Sequence, residues 1–536
     1  RLVGSEMCIR DRKILVPFPI ESALSGIMEE SDSQCYWYKR SISIPETMKG
    51  KNILLHFDAV DWETVVYVNG IKVGKHTGGY DPFYFDITSA LKDQEKQELV
   101  VYTYDNTGAE GQAKGKQALN KWGCWYTPVS GIWQTVWLEP VNPVYIEDLM
   151  IRPDVDNSCL KMRVNTNEAF GVTVNISLLD KERNKIATLE NDKVGRLLTI
   201  PIDNPHLWSV EDPYLYDLDI AILKDGIQTD AVSSYCGMRK IEVKKVGETP
   251  RIFLNGKQIF QMGPLDQGWW PDGLYTAPTD EALVYDLKKT KDFGYNMVRK
   301  HVKVEPARWY THCDQLGLIV WQDMPNGGPS PQWQARNYFN GREVIRSAAS
   351  EANYRKEWKE IIDCLYSYPS IAVWVPFNEA WGQFKTPEIV AWTKEYDPSR
   401  LVNPASGGNH YTCGDILDLH HYPGPNMFLY DPRRATVLGE YGGIGLVVEG
   451  NTWVNDKKNW GYVKFNTSDE VTNEYIKYGK HLLELIQKGF SAAVYTQTTD
   501  VEGEINGLMT YDRKVIKMNE AKVREINQQI CNSLNK

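Results

Sequence analysis

Two glutamates stand where this chain could do carbohydrate chemistry. Ala372-Val373-Trp374-Val375-Pro376-Phe377-Asn378-Glu379 is a β-branched, aromatic run that stops at an Asn-Glu pair. Ala380-Trp381-Gly382-Gln383 then breaks the pattern with small and turn-forming residues. A buried strand that delivers a carboxylic acid to a pocket at its C-terminal end reads this way. Ala435-Thr436-Val437-Leu438-Gly439-Glu440-Tyr441-Gly442-Gly443 repeats the design. Two such carboxyl groups, about 5–5.5 Å apart, are the minimum equipment for cleaving a glycosidic bond with retention of configuration. One must protonate the leaving oxygen and the other must stay ionised.

Two strand-end acids face one another only if a scaffold brings their strands together. From about residue 244 the pattern alternates. Strands are expected at Ile259–Gly263, Asn296–Arg299, Leu318–Trp321, the Glu379 run, Leu401-Val402, Ile416–Leu419, Thr436–Leu438 and Ser491–Thr496. Helices are expected at Thr279–Phe293, Pro306–Leu316, around Trp358–Tyr366, after Pro387, at Asp469–Gln487 and at Met518–Ile530. Gly294 and Gly317 stand just past two of these helices, where a left-handed cap belongs. Eight strands alternating with helices imply a (β/α)8 TIM barrel over 244–536, with its site at the C-terminal strand ends.

The residues at those ends are therefore the candidates. Arg299 and Tyr422 would hold Glu440 ionised, and Asn378 would donate a hydrogen bond to the sugar 2-hydroxyl. Asp323, His421, Tyr422, Asp266, Trp269, Trp270 and Trp381 are further substrate-binding candidates. Plainer roles compete: Arg299 in a structural ion pair, Asp323 capping a turn, the Trp269-Trp270 pair in the core. His420-His421 lacks Cys or carboxylate companions at ligand spacing, so no metal and no cofactor is expected.

Upstream the chain reads as β. Residues 13–141 carry many short strands, with Asn69-Gly70 marking a hairpin, and suggest a jelly-roll sandwich. Residues 142–243 fit a smaller immunoglobulin-like sandwich. Glu6 to Arg12 resembles a translated sequencing adapter at the edge of a metagenomic fragment. Residues 1–12 are therefore set aside as a scar, and the native N-terminus is expected to be missing. The compartment is then open between a bacterial periplasm, which is favoured, and the cytoplasm. A net charge of −10 argues against nucleic-acid and anionic-membrane partners. No apolar window is long enough to span a bilayer. The nine Cys show no metal-ligand spacing, which makes structural zinc an unexpected feature.

The residues resemble those of glycoside hydrolase family 2, the β-galactosidase, β-glucuronidase and β-mannosidase group. The resemblance rests on Gly78-Gly79-Tyr80-Asp81-Pro82-Phe83, on Ser130-Gly131-Ile132-Trp133-Gln134-Thr135-Val136-Trp137 and on Leu207-Trp208-Ser209 with Pro213-Tyr214-Leu215-Tyr216. It continues through Gly237-Met238-Arg239, Asn378-Glu379 and Gly439-Glu440-Tyr441-Gly442-Gly443. It implies Glu379 as acid/base, Glu440 as nucleophile and an oligosaccharide or glycoconjugate substrate. A homo-oligomer is left open. Departures bear on the sugar. Met262 to Asp272 replaces the family's His-containing segment, and Lys300-His301-Val302-Lys303 stands for Ser-His-Tyr-Pro. The Asn-x-Lys pair that reads a glucuronate is absent, and the loop Asp500 to Leu508 is acidic. Such a loop would repel a uronic acid, although Lys300, His301 or Lys303 could offset it. A β-galactosidase is favoured. A β-glucuronidase, a β-mannosidase and a non-catalytic carbohydrate-binding protein are the alternatives.

Overall fold

The computed structural model describes residues 12–534 except 32, 109–110, 330, 334–336, 340 and 455–458. The adapter-like stretch lies outside the described residues, Arg12 apart.

The first sandwich pairs two antiparallel sheets. In one, Cys35–Ser43, Lys96–Tyr104, Glu63–Val68 and Ile71–Thr77 lie side by side; in the other, Asn52–Phe57 lies between Phe83–Asp86 and Val136–Val141. Asn69 and Gly70 both take positive φ, 50° and 81°, in the two-residue turn that joins the hairpin strands. The second sandwich has seven strands between Ile146 and Cys236, three in one sheet and four in the other. Its strands alternate buried and open positions, as one wet face requires; Tyr216–Lys224 is typical.

The last part is a parallel eight-stranded barrel. Its strands are β1 (Gln261–Asp266), β2 (Met297–Lys300), β3 (Ile319–Asp323), β4 (Ile371–Val375), β5 (Leu401–Val402), β6 (Ile416–His421), β7 (Ala435–Gly442) and β8 (Phe490–Thr496). Their hydrogen-bonded order is β5-β4-β3-β2-β1-β8-β7-β6, so the ring lacks a ladder only between β5 and β6. Side chains stitch that seam: Asp415 Oδ2 accepts the Val402 N–H at 2.8 Å and Asp418 Oδ2 accepts Asn403 Nδ2 at 2.6 Å. Strands β1 to β4 are buried at every position, the signature of parallel strands covered on both faces.

Among the described residues six helices surround this ring: α1 (Asp280–Asp292), α2 (Ala307–Leu316), α3 (Ala348–Leu365), α4 (Thr386–Tyr396), α5 (Ser468–Lys488) and α6 (Glu520–Cys531). They start and stop where local chemistry directs. Thr279 Oγ1 accepts the Ala282 N–H at 3.1 Å, Gly317 ends α2 at φ 68°, and Thr467 with Glu470 forms a capping box on α5. The β5–β6 and β6–β7 connections carry no helix.

The three parts are packed together. Tyr80, Tyr126 and Trp133 of the first sandwich share one apolar core with Trp269 and Tyr275 of the barrel. Arg239, buried at the foot of the barrel, donates to the carbonyls of Pro369 (3.0 Å), Ser399 (2.6 Å) and Ile371 (2.8 Å). Replacing it with Met would remove the donor to the Pro369 and Ser399 carbonyls, while Ile371 would keep its bond from Arg400 Nε at 2.8 Å. We expect Arg239→Met to destabilise the protein by about 2–4 kcal/mol, read as an earlier midpoint in urea.

Candidate active site

The two glutamates meet over the barrel mouth. Glu379 lies four residues beyond β4, and Glu440 near the end of β7. One carboxylate oxygen of each, together with a ring nitrogen of His420, all fall within 4.8 Å of one another. Backbone geometry aims them. Asn378 bridges to Ser406, the Glu379 N–H donates to Ser406 O at 2.8 Å, and Glu379 and Ala380 take positive φ of 46° and 61°. Left-handed backbone costs a non-glycine residue on the order of 1 kcal/mol and persists where its surroundings over-determine it. On β7, Gly439 lets Asp418 come close, since a Cβ there would lie 2.0 Å from Asp418 Oδ1.

Glu440 is held by cationic and hydroxyl donors. Arg299 Nη1 lies 3.2 Å from Glu440 Oε1, and Tyr422 Oη donates to Oε2 at 2.7 Å. All five guanidinium N–H groups of Arg299 are engaged. They reach Asp323 twice (3.0 and 2.9 Å), Asn378 Oδ1 (2.8 Å), Glu440 and the Gly439 carbonyl (3.2 Å). Burial pulls this guanidinium down, but Asp323 and Glu440 outweigh it and its net shift is upward, so the charge is permanent. Tyr422 stacks face to face on Tyr462, with ring centres 3.6 Å apart.

Glu379 is more open, with a side chain 20% exposed against 5% for Glu440. His420 Nδ1 lies 2.9 Å from its Oε1 and 3.4 Å from Glu440 Oε2. His420 Nε2 is 2.7 Å from Ser406 Oγ, which itself donates to Asp418 Oδ2 at 2.5 Å. The serine proton is therefore committed, Nε2 must carry its own, and one further proton can sit on either Nδ1 or Glu379. Burial pulls the His420 imidazolium down, but Glu440 and Glu379 outweigh it and the net shift is upward. Asn378 Nδ2 and His301 Nε2 are buried without a hydrogen-bond partner among the described residues. Both are donors or acceptors left for a ligand. Glu379, His420 and Glu440 are the one group among the described residues whose atoms are close enough to hold a cation. Arg299 Nη1 already brings positive charge to that spot.

Three family models match consecutive parts of the chain. "Glycosyl hydrolase 2 galactose-binding domain-like" matches residues 21–135, "Glycosyl hydrolases family 2" matches 144–239, and "Glycosyl hydrolases family 2, TIM barrel domain" matches 248–422. The chain belongs to glycosyl hydrolase family 2. Family 2 relatives carry two names. A β-galactosidase of Thermoanaerobacter pseudethanolicus is 26% identical over 64% of this chain and 44% of its own length. A β-glucuronidase of Bacteroides fragilis is 26% identical over 72% of this chain and 57% of its own length. The chain thus spans about half the length of these relatives. A solved β-D-glucuronidase of Dictyoglomus thermophilum shares the fold, with a TM-score of 0.76 at 19% identity, over 96% of this chain and 93% of that one.

Within this family 2 chain the structure gathers some expected residues and disperses others. Arg299, Asp323, Asn378, Glu379, Tyr422 and Glu440 form one connected network. His421 does not join it. Its Nδ1 meets the Gly424 carbonyl at 2.7 Å, and His420 faces the carboxylates instead. The cause is a register shift between Leu419 and His420 against β7, because a one-residue slip turns side chains to the other face. Trp269 and Trp270 are core residues, not a pocket wall. Trp269 packs on Tyr126 with ring centres 4.4 Å apart, and Trp270 lies beneath the Arg513 guanidinium. Asp266 has both oxygens engaged, by the Gly268 N–H (2.9 Å) and Lys300 (2.8 Å), and so braces the β1–β2 junction.

Trp381 is half-buried and stacks on Trp125 of the first sandwich at 4.9 Å. The two, with Trp122, Lys114 and Asn326, line a hollow of about 250 Å³. His420 and His301 were visible at strand ends but not distinguishable as site residues by spacing. Lys116, which enters from the first sandwich, has no local signal at all.

Proposed function

We propose that this protein is a retaining exo-β-glycosidase. The observation that carries the reading is the close carboxylate pair, with oxygens within 4.8 Å, one of them held by Arg299 and Tyr422. That spacing leaves no room for the water an inverting enzyme places between its two acids. Glu440 would attack the anomeric carbon while Glu379 gives its proton to the departing oxygen. The sugar is then an ester of Glu440. Glu379, now ionised, would take a proton from water, which attacks the same carbon and frees both the sugar and Glu440. Asn378 Nδ2, buried and unpartnered, suits the 2-hydroxyl, a contact that strengthens in the transition state. Trp381 and Trp125 suit the acceptor side, where an apolar ring face can stack.

The acidic loop after β8 bears on the sugar. Asp500 is paired with Lys517 at 2.6 Å, and Glu502 accepts the Thr127 N–H at 2.9 Å. Glu504 accepts from Gln267 and Asn506, both at 3.1 Å, so all three carboxylates have partners, which weakens the case against a uronic acid. Galactosides and glucuronides are accordingly the two leading substrates. A panel of aryl β-glycosides with proton NMR of the first product tests the reading. The β-anomer should appear first on whichever glycoside is cut. An α-anomer first would overturn retention, and no hydrolysis of any glycoside, mannosides included, would favour the binding protein.

A further inference from the structure

We propose that Lys116, carried by the first sandwich, reads a negative charge on the terminal sugar. The site would then take an anionic β-glycoside, a uronide or a sulfated sugar. This rests on the glycosidase reading and adds the chemistry of its substrate.

The loop holding Lys116 is clamped over the barrel mouth on both sides of that residue. The N–H groups of Lys114 and Gly115 donate to the Asn326 carbonyl at 3.1 and 2.9 Å. Gly115 takes φ +57°, and a Cβ there would come 2.5 Å from the Val302 carbonyl just past β2. On the other side Gln117 donates to Tyr80 Oη (3.0 Å) and Asp61 (3.2 Å) and accepts the Val129 N–H (2.6 Å). The lysine between these anchors has little freedom to swing away.

Lys116 is only 5% exposed, yet its ammonium has no hydrogen bond or ion pair among the described residues. It lies 5.8 Å from the Trp381 ring centre, and its electrostatic neighbours are Cys124, Glu504, Glu440 and Glu379. Trp381 follows Glu379 by two residues, so this contact sets the ammonium beside the Glu379 turn. Lys114 lies over the Trp125 ring at 5.8 Å, and the other cations named at the mouth are committed. Arg299 has no N–H left, Lys300 and Lys303 bind Asp266 and Glu305, and Lys517 binds Asp500. Lys300 and Lys303 therefore cannot offset the acidic loop, and His301 Nδ1 is tied to Asp323 at 2.9 Å.

Burial pulls the Lys116 ammonium down, but Cys124 and the carboxylates of Glu504, Glu440 and Glu379 outweigh it and keep it charged, with its hydrogen bonds still unmade. A ligand oxygen would complete those bonds, and a carboxylate or sulfate adds a charge–charge attraction that a hydroxyl lacks. The surrounding carboxylates would otherwise expel an anion. A site that accepts one therefore needs a dedicated cation, and Lys116 is positioned as that cation. Recognition of the charge would come from a different domain than the strand-8 loop, where Asn-x-Lys is missing.

The test compares kcat/KM on an aryl β-glucuronide, an aryl 6-sulfo-β-galactoside and an aryl β-galactoside for the full chain and for Lys116→Met and Lys116→Arg. Wild type should prefer one of the two anionic glycosides, and which one identifies the anion. Lys116→Met should lower the anionic-to-neutral ratio by about 30-fold or more, as for truncating one partner of a buried charge pair. Lys116→Arg should keep most of that ratio. An equal loss on charged and neutral substrates would assign Lys116 to the fold or to the acid/base and overturn the proposal. A wild type that cuts neutral glycosides but neither anionic one would overturn it while leaving the glycosidase reading intact. A wild type that cuts none of them would bring down both. Should Lys116→Met not fold, Lys116→Gln takes its place in the same ratio.

Discussion

Glu440→Gln is expected to lower kcat on any cleaved β-glycoside by about four orders of magnitude or more, roughly 5–6 kcal/mol of transition-state stabilisation. The change is isosteric, so Arg299 keeps its paired bonds to Asp323 and its bond to Asn378, and the fold should persist. What disappears is the nucleophile. A neutral amide has one accepting oxygen, so it keeps either the Arg299 or the Tyr422 bond, and it cannot form the glycosyl ester. A 2-deoxy-2-fluoro glycosyl fluoride separates this from general damage. It should add one sugar mass to the wild-type peptide containing Glu440 and none to the variant. Residual turnover within tenfold of wild type, with an unlabelled Glu440, would remove this residue from the mechanism. A carbohydrate-binding protein would instead keep its affinity and show no turnover to lose.

The second large effect is on Glu379→Ala, and it should depend on the leaving group. General acid assistance contributes about 10²–10⁴-fold. A poor leaving group needs that proton, so alkyl glycosides should lose most of this factor. A dinitrophenyl glycoside departs without it, so its first step should be nearly unchanged. The second step would still lack a base for water, and the ester on Glu440 should accumulate as a burst. Azide needs no deprotonation and should restore turnover, giving the β-glycosyl azide. The cavity is accessible for this, since the Glu379 side chain is 20% exposed. Equal losses on all leaving groups with no azide rescue would count against Glu379 as the acid/base. His420 should matter through Glu379, because its Nδ1 shares a proton with that carboxyl at 2.9 Å.

Much of the scaffold was legible because each signal was local. The eight strands, the six helices and both glutamates could be found from burial runs, cap residues and glycines along one stretch of chain. The helix-less links on either side of β6 are short, and the chain holds no helical period there to misread. Glu379 and Glu440 stood out because each follows an uninterrupted strand-like run, whereas Asp418, inside β6, is buried only with Ser406 and Asn403 as donors. Arg299, Asp323, Asn378 and Tyr422 followed from the same logic.

What escaped the sequence depends on register and on partners distant along the chain. Whether His420 or His421 faces the carboxylates turns on a one-residue bulge against β7, and adjacent residues of a strand carry no mark of it. Trp269 and Trp270 looked like sugar platforms until Tyr126 and Arg513 covered them. Asp266 looked like a free acceptor until Lys300 occupied it. Lys116 belongs to another domain and reaches the glutamates only because its loop is pinned to Asn326 and rests on Val302. By itself, then, the sequence determined the kinds of element and the pair of acids, since periodicity and strand ends are properties of neighbouring residues. The tertiary structure alone decided which side chains surround that pair, because the free energy of a buried charge or ring depends on the partner that packing supplies.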